Sequence, residues 1–244
     1  MKLDPFDLLA PGPIPIPGAG AVCSPTLREI KKAGIQAYHS YLGLFSINLD
    51  SYLEAAGASE AYESLPDRER PSLFELLLAG ESTAALLWAG LDFFFCGSVR
   101  FDPAQTAFVI EDNNPLFCGT VDKENYPRVR HCILQANYIT MPDEAEPVYK
   151  NAKARQIAEK LRKAKTAQKK SSAANNLTLA NMVSALAVQH NSLNLSNIWD
   201  LTVYQLYDQF FRQNNKNQLD IHAMNYAGWG GEFDPTSWFR ALDK

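Results

Sequence analysis

The sequence lacks the residue spacings that mark metal sites and phosphate-binding loops. Its four histidines, at positions 39, 131, 190 and 222, are scattered, and none has a second histidine or an acidic residue at the spacing of metal ligands. The Gly-Ala-Gly run at 18–20 has no strand before it and no basic residue after it, and the Gly-Gly pair at 230–231 leads into acidic residues. Neither run indicates a phosphate cradle. We therefore expect no metal, no cofactor and no enzymatic activity.

Cysteine is scarce, and its spacing gives no support for a zinc site. Cys23, Cys96, Cys118 and Cys132 include no CxxC or CxxH pattern. Cys96 and Cys132 lie in apolar sequence, where a free thiol behaves as a small buried hydrophobic side chain. A chain of 244 residues can bury a core without cross-links. We therefore predict reduced, structural thiols in a cytoplasmic protein.

Long apolar runs and a secretion signal are also missing. The longest apolar segment, residues 73–95, is interrupted by three acidic residues and a glycine. It falls short of the roughly 20 uninterrupted apolar residues of a membrane span. The first five residues include an acidic residue and a proline where a signal peptide would lead into its apolar core. These features predict a buried helix over 73–95 and no membrane association.

What the chain does contain is a set of helix-start signals and a mainly helical periodicity. At three predicted helix starts a Ser or Thr precedes a Glu or Gln by three residues, which predicts a capping box. The three pairs are Thr26 with Glu29, Ser72 with Glu75, and Thr202 with Gln205. The first box starts a helix through about residue 45, and the second starts one through about residue 95. Asp122 predicts another helix that starts near Asn125, because Pro127 fits only in a first turn.

Two short β-type runs, 98–101 and 107–110, are joined by a turn sequence and predict a hairpin near 98–111. The expected fold class is therefore mainly α-helical with a small β-hairpin. It comprises a helical N-terminal domain at 26–140 and a small C-terminal helical unit with an aromatic tail at 177–244. Between them, residues 141–176 are predicted to form an acidic linker, a basic helix and a flexible linker.

Residues 1–25 contain six prolines and predict an extended N-terminal arm, because proline fixes φ and removes a hydrogen-bond donor. Ile14 and Ile16 alternate with prolines within this arm. Two interpretations stay open: the arm lies on its own domain, or it docks on another subunit.

The stretch 150–170 carries nine Lys or Arg residues and one acidic residue, Glu159. A solvated connecting helix and a basic helix that meets an acidic partner or nucleic acid both fit this pattern. Nucleic-acid binding is the less favoured interpretation, because no aromatic residue interleaves the charges for base stacking.

The helix that begins at Thr202 carries an apolar stripe at three- and four-residue steps, and aromatic residues follow it. Such side chains anchor protein interfaces, but they can equally close the end of a helical bundle. The candidate protein-binding residues are Val203, Leu206, Tyr207, Phe210, Phe211, Trp229 and Trp238.

The run from Ile198 to Phe210 resembles the C-terminal helix of tail assembly chaperones and related tail-morphogenesis proteins from phages and prophages of Gram-positive bacteria. The later run from Asn225 to Gly231, with Ser237-Trp238, is similar to the small-residue, Trp-containing end of that family. The N-terminal pattern is similar as well, with a Pro/Ile-rich arm followed by the run from Pro25 to Ile30. Together these runs cover about a quarter of the chain.

The resemblance implies a non-enzymatic protein that accompanies an extended tape-measure protein until tail-tube protein polymerises around it. The implied partners are the tape-measure and tail-tube proteins, with self-association also open. The implied location is the bacterial host cytoplasm or the virion. Many family members are much shorter than this chain, so two alternatives stay open. They are a structural virion protein of the tail or neck, and a nucleic-acid-binding protein that acts through the basic helix.

Overall fold

A computed structural model describes residues 3–139 and 177–242 of the chain. Its contacts divide the chain into two compact units. Unit 1 is Met1–Met141 with Asp200–Gln205, and unit 2 is Pro142–Trp199 with Leu206–Lys244. The fold is mainly α-helical with small β elements, which confirms the predicted class. The sequence predicted a C-terminal unit at 177–244, whereas the structure assigns Asp200–Gln205 of that range to unit 1. The linkers and basic helix predicted at 141–176 lie outside the described residues.

The N-terminal arm is not wholly extended, which corrects the prediction. Helix α1 (Pro5–Leu9) begins after Asp4, whose side chain accepts a hydrogen bond from the Phe6 amide at 2.8 Å. Pro5 is tolerated because the first amides of a helix have no partner within it. Strands β1 (Ile14–Ile16) and β2 (Gly20–Val22) then pair antiparallel.

The arm lies on its own unit, as one of the two interpretations predicted. Ile14 and Ile16 are only 5% and 2% exposed. Both strands pack against helix α8 (Tyr126–Ala136). The backbone amide of Leu3 donates to Gln135 on that helix at 3.0 Å. The alternation of isoleucine and proline therefore serves packing within unit 1.

Two of the predicted long helices are broken by glycine. Helices α2 (Leu27–Ala33) and α3 (Ile35–Ser46) meet at Gly34, whose φ of +97° a side chain would disfavour. Helices α4 (Leu49–Ala56) and α5 (Ser59–Glu63) follow, and then a 3₁₀ turn at Asp67–Glu69.

The apolar segment predicted as one buried helix consists of α6 (Leu73–Ala79) and α7 (Glu81–Phe94). The two helices are bent by 115° at Gly80. No single helix among the described residues is long and apolar enough to cross a membrane. The bent pair α6 and α7 passes that test only when the two are taken together, on length and composition alone.

The predicted hairpin is present and gains a third strand. Strand β3 (Ser98–Asp102) pairs antiparallel with β4 (Ala107–Glu111), and Val99 faces Ile110 in the register. Strand β5 (Gly119–Val121) pairs with the other edge of β4. The sequence did not reveal β5, because three residues that include glycine and threonine carry no alternation.

Aromatic rings from four elements meet in the core of unit 1. The Phe74 and Tyr126 ring centroids lie 5.2 Å apart, and Phe45 and Phe94 meet edge to face at 5.8 Å. The buried Arg130 donates from Nε to the Phe45 carbonyl at 2.6 Å. Burial raises the pKa of Tyr126 above its usual value. Helix α8 begins at Tyr126, as the position of the following proline predicted.

The prediction that all cysteines are reduced is wrong for one pair. Cys23 and Cys96 form a disulfide, with their Cα atoms 5.4 Å apart and a sequence separation of 73 residues. An isolated antiparallel pairing of Val22 with Phe95 brings them together, and sequence spacing carries no trace of that pairing. Cys118 is exposed and free, whereas Cys132 is free and buried. Burial raises the pKa of Cys132 to about 12.

In unit 2, helix α9 (Leu179–Gln189) is capped by Thr178, whose hydroxyl accepts from the Asn181 amide at 3.2 Å. Helix α10 (Val203–Trp229) has its first residues in unit 1 and the rest in unit 2. Two 3₁₀ turns, Ile198–Asp200 and Ser237–Phe239, flank it in sequence. The buried side chains of α9 are Met182, Val183 and Leu186.

Candidate protein-binding surface of the C-terminal helix

Helix α10 starts with the predicted capping box. The Gln205 amide donates to the Thr202 hydroxyl at 3.2 Å, and the Thr202 amide donates to Gln205 Oε1 at 2.9 Å. The same glutamine donates from Nε2 to the Leu9 carbonyl at 2.8 Å. The start of the helix is therefore fixed both by its own cap and by the N-terminal arm.

The segment before α10 is also anchored in unit 1. Thr202 forms an antiparallel bridge with Thr26, and the Leu27 amide donates to the Leu201 carbonyl at 2.9 Å. An ion pair joins Arg28 to Asp200 at 2.8 Å, with both side chains exposed. The helix start is thus tied to unit 1 through backbone and side-chain contacts.

The first apolar residues of the predicted binding stripe belong to the core. Val203 and Leu206 are 1% and 0% exposed, so neither can reach a partner in the folded chain. This corrects their assignment as binding residues.

The middle of the stripe is half-buried. Tyr207, Phe210 and Phe211 have intermediate exposure, and the ring centroids of Phe210 and Phe211 lie 5.7 Å apart. Burial raises the pKa of the Tyr207 phenol. These three aromatics therefore pack partly on one another along the helix.

Helix α10 extends well beyond the predicted apolar stripe, which ended near Arg212. The stretch 213–218 contains only Gln, Asn and Lys, so the apolar periodicity stops there. No glycine or proline occurs between Arg212 and Gly228, however, and that absence was the available signal for a continuing helix. Asn217 donates to Gln189 of helix α9 at 3.1 Å, which ties this polar stretch to unit 2.

The last turns of α10 expose large apolar side chains that the sequence-based list mostly omitted. Ile221, Met224 and Trp229 are 54%, 66% and 91% exposed. We call these three residues the distal surface. At 3.6 residues per turn, Ile221 lies between the other two around the helix, at about 60° from Met224 and 80° from Trp229. The three side chains therefore share one side of the helix.

The tail after α10 folds back on Tyr226 of the same helix. Gly230 and Gly231 have φ values of +72° and +120°, which reverse the chain. The Phe233 ring then stacks on Tyr226, with centroids 5.6 Å apart and planes 22° apart. Arg212 donates to the Arg240 carbonyl at 3.4 Å. The tail thereby packs on the helix through Phe233 and the Arg240 carbonyl and leaves the distal surface exposed.

Within the tail, Asp234 organises a small polar network. Its carboxylate accepts from the Thr236 hydroxyl and from the Thr236 amide, and it forms an ion pair with Arg240. The hydroxyl and amide hydrogen bonds are the main reason that the pKa of Asp234 is lowered. Trp238 is 39% exposed and meets Phe239 edge to face. Trp238 is therefore partly available to a partner, next to the more exposed Phe239.

The described residues supply little for metal chemistry. Within residues 3–139 and 177–242, no group of three His, Cys, Asp or Glu side chains is placed to hold a metal ion. His190 accepts hydrogen bonds from the Ser192 and Leu193 amides at 3.2 Å each, which organises a turn. The expectation that the chain is not an enzyme stays a prediction.

Comparison with known proteins adds one finding. Residues 167–243 match the family described as the YomV second domain. That family is derived from a Bacillus prophage, so the match supports a phage protein. The matched region includes most of unit 2 and all of α10. No curated protein and no solved structure is significantly similar to the chain.

Proposed function

We propose that this chain is a phage morphogenesis protein, similar in role to tail assembly chaperones, that binds the tape-measure or tail-tube protein in the host cytoplasm. The observation that carries the proposal is the distal surface, where three large apolar side chains share one exposed side of a long helix. The match to a prophage-derived family covers this surface. The resemblance of the runs around Ile198–Phe210 and Asn225–Gly231 to tail assembly chaperones supplies the candidate partners.

The apolar side chains of the distal surface suit the recognition of a helical partner protein. A tape-measure protein is an extended helical protein, and an apolar helix face is recognised by side chains at three- and four-residue steps. Ile221 and Met224 are spaced in this way, and Trp229 extends the contact by a little over one turn. Complete burial of one such side chain contributes about 1.5–3 kcal/mol. Three such side chains can therefore form the apolar centre of a binding interface.

Co-purification with a tape-measure fragment tests the proposal. We expect the native chain to retain the fragment and the double variant Ile221→Asp/Met224→Asp to lose it, because charge on the distal surface opposes apolar contact. Val188→Asp is the matched control, since Val188 is also in unit 2 and is 82% exposed. Retention of the fragment by the double variant would refute the proposal.

A structural virion protein of the tail or neck is the main alternative, and it differs in where the chain is found. A chaperone is absent from purified particles, whereas a tail component is detected in them by mass spectrometry. The sequence stretch 150–170, with nine basic residues, supports nucleic-acid binding as a second alternative. That alternative requires DNA binding that weakens steeply as salt rises.

A further inference from the structure

The disulfide between Cys23 and Cys96 lies at the base of the N-terminal arm. Cys23 follows strand β2 of the arm, and Cys96 follows helix α7. The bond therefore joins the arm covalently to the helical part of unit 1. The arm covers apolar surface, because Ile14, Ile16 and Val22 are buried and both of its strands pack against α8.

Backbone hydrogen bonds align the two cysteines while the arm lies on unit 1. The Cys23 amide donates to the Phe94 carbonyl at 2.7 Å, and the Cys96 amide donates to the Ala21 carbonyl at 3.2 Å. These bonds flank the pairing of Val22 with Phe95. Side chains alternate between faces along paired strands, so both cysteines point to the face opposite Val22 and Phe95. Whenever the arm lies on unit 1, this pairing places the two thiols side by side, so the disulfide can form again.

The bond lies outside the fully buried core. Both cysteines are only half-buried, unlike the fully buried residues of the surrounding core. We propose that Cys23 and Cys96 form a redox-controlled clamp, which releases the N-terminal arm on reduction and holds it closed on oxidation. This inference does not depend on the proposed function. A reducing cytoplasm favours the released form, and an oxidising exterior favours the closed form.

The closing step is a thiol–disulfide exchange with a low-molecular-weight disulfide such as oxidised glutathione. One protein thiolate attacks that disulfide, forms a mixed disulfide and expels one glutathione thiolate. The second protein thiolate then attacks the protein sulfur of the mixed disulfide and expels the other. The two protein thiols lose two electrons, glutathione disulfide gains them, and the two thiol protons pass to the expelled thiolates.

Thiol counting on the full chain tests whether the clamp exists. Native alkylation with iodoacetamide, followed by intact-mass measurement, should add one label to the air-oxidised protein, at the exposed Cys118. Treatment with dithiothreitol should raise the count to three, at Cys23, Cys96 and Cys118. Cys132 should stay unlabelled until unfolding, because it is buried and its pKa is raised to about 12. Three labels without reductant would overturn the inference.

Hydrogen exchange tests whether the clamp controls the arm. We expect reduction to speed amide exchange across residues 14–23 by about tenfold or more, since loss of a disulfide that closes a long loop favours opening. We also expect the melting temperature to fall by about 10 °C. In Cys23→Ala/Cys96→Ala, exchange should be fast with or without dithiothreitol, and Cys118→Ala should keep the native redox response. Equal exchange of the oxidised and reduced native chain would overturn the inference, even if the double variant failed to fold.

Discussion

The N-terminal arm and the C-terminal tail look alike in sequence and differ in structure. Both combine apolar residues with proline or glycine, and both were candidates for an interface. The arm buries Ile14 and Ile16, pairs its strands and is cross-linked at Cys23. The tail stacks only Phe233 on Tyr226 and leaves Trp229 and its neighbours exposed. Apolar content alone therefore does not separate buried segments from exposed ones, whereas backbone pairing does here.

We expect the largest change in the free energy of unfolding from substitutions at two glycines, one packed against the N-terminal arm and one near the C-terminal tail. A Cβ at Gly119 would overlap the backbone of Ala19 and Gly20 in the arm, whereas one at Gly228 in α10 would meet nothing within 4 Å. We expect Gly119→Ala to destabilise the chain by about 3 kcal/mol, because backbone cannot yield as a flexible side chain can. Gly228→Ala should stabilise it by up to about 1 kcal/mol through helix propensity. Urea unfolding measures both, and equal effects would contradict the comparison.

The next largest change in stability is expected from truncating a buried apolar residue of the arm, in contrast to an exposed one of α10. Ile16→Ala should cost about 2–3 kcal/mol, since it leaves a cavity under the arm. Trp229→Ala should change the free energy of unfolding by less than about 0.5 kcal/mol, because the indole is 91% exposed. The same Trp229 variant should weaken binding to a tape-measure fragment. A large loss of stability in Trp229→Ala would show that the distal surface is part of the fold.

A smaller effect concerns the capping box of helix α6 in unit 1. The Ser72 backbone amide and then its hydroxyl donate to the Glu75 carboxylate, and these two hydrogen bonds lower the pKa of Glu75 below its usual 4.5. The Ser72 hydroxyl also accepts from the Glu75 backbone amide. Ionised Glu75 thus stabilises the fold fully above pH values of about its usual pKa of 4.5. This stabilisation is lost as the pH falls through the lowered pKa of the folded state. We expect Ser72→Ala to cost about 1 kcal/mol at pH 7 and less at pH 3.

Urea unfolding at both pH values measures the Ser72 effect. Ser72→Thr is the control, because threonine keeps the hydroxyl and should retain the pH dependence. A cost for Ser72→Ala that is the same at pH 7 and pH 3 would contradict the role given to ionised Glu75.

The smallest effect is local to the tail. The Thr236 hydroxyl is the first cause of the lowered pKa of Asp234. Thr236→Ala should therefore raise the pKa of Asp234 toward its usual 3.8, while Thr236→Ser should not. An NMR titration of the carboxyl group reports the shift, and thermal unfolding should stay unchanged because the tail is exposed. An unshifted Asp234 in Thr236→Ala would count against this network.

Local signals predicted much of the fold. The capping boxes at Thr26, Ser72 and Thr202 all form, because they depend on residues three apart. The hairpin near 98–111 forms for a similar reason. The breaks at Gly34 and Gly80 were missed, since the apolar pattern continues across both glycines and only tertiary packing decides whether a helix bends there.

The candidate site was harder to predict than the fold. Periodicity identified the apolar stripe of α10 but not which part of it faces solvent, so Val203 and Leu206 were misassigned. Trp229, one of the predicted binding residues, is exposed, whereas Ile221 and Met224 were not predicted because they lie beyond the polar stretch 213–218. The Cys23–Cys96 pair was missed because contacts distant in sequence leave no mark on local spacing.

Hydrogen–deuterium exchange of the full chain, with and without a tape-measure fragment, tests the central claim most directly. We predict that the fragment slows exchange across residues 217–233, which carry the distal surface, and leaves residues 14–22 of the N-terminal arm unchanged. Protection of the arm without protection of 217–233 would contradict the claim that the exposed end of α10 is the binding surface.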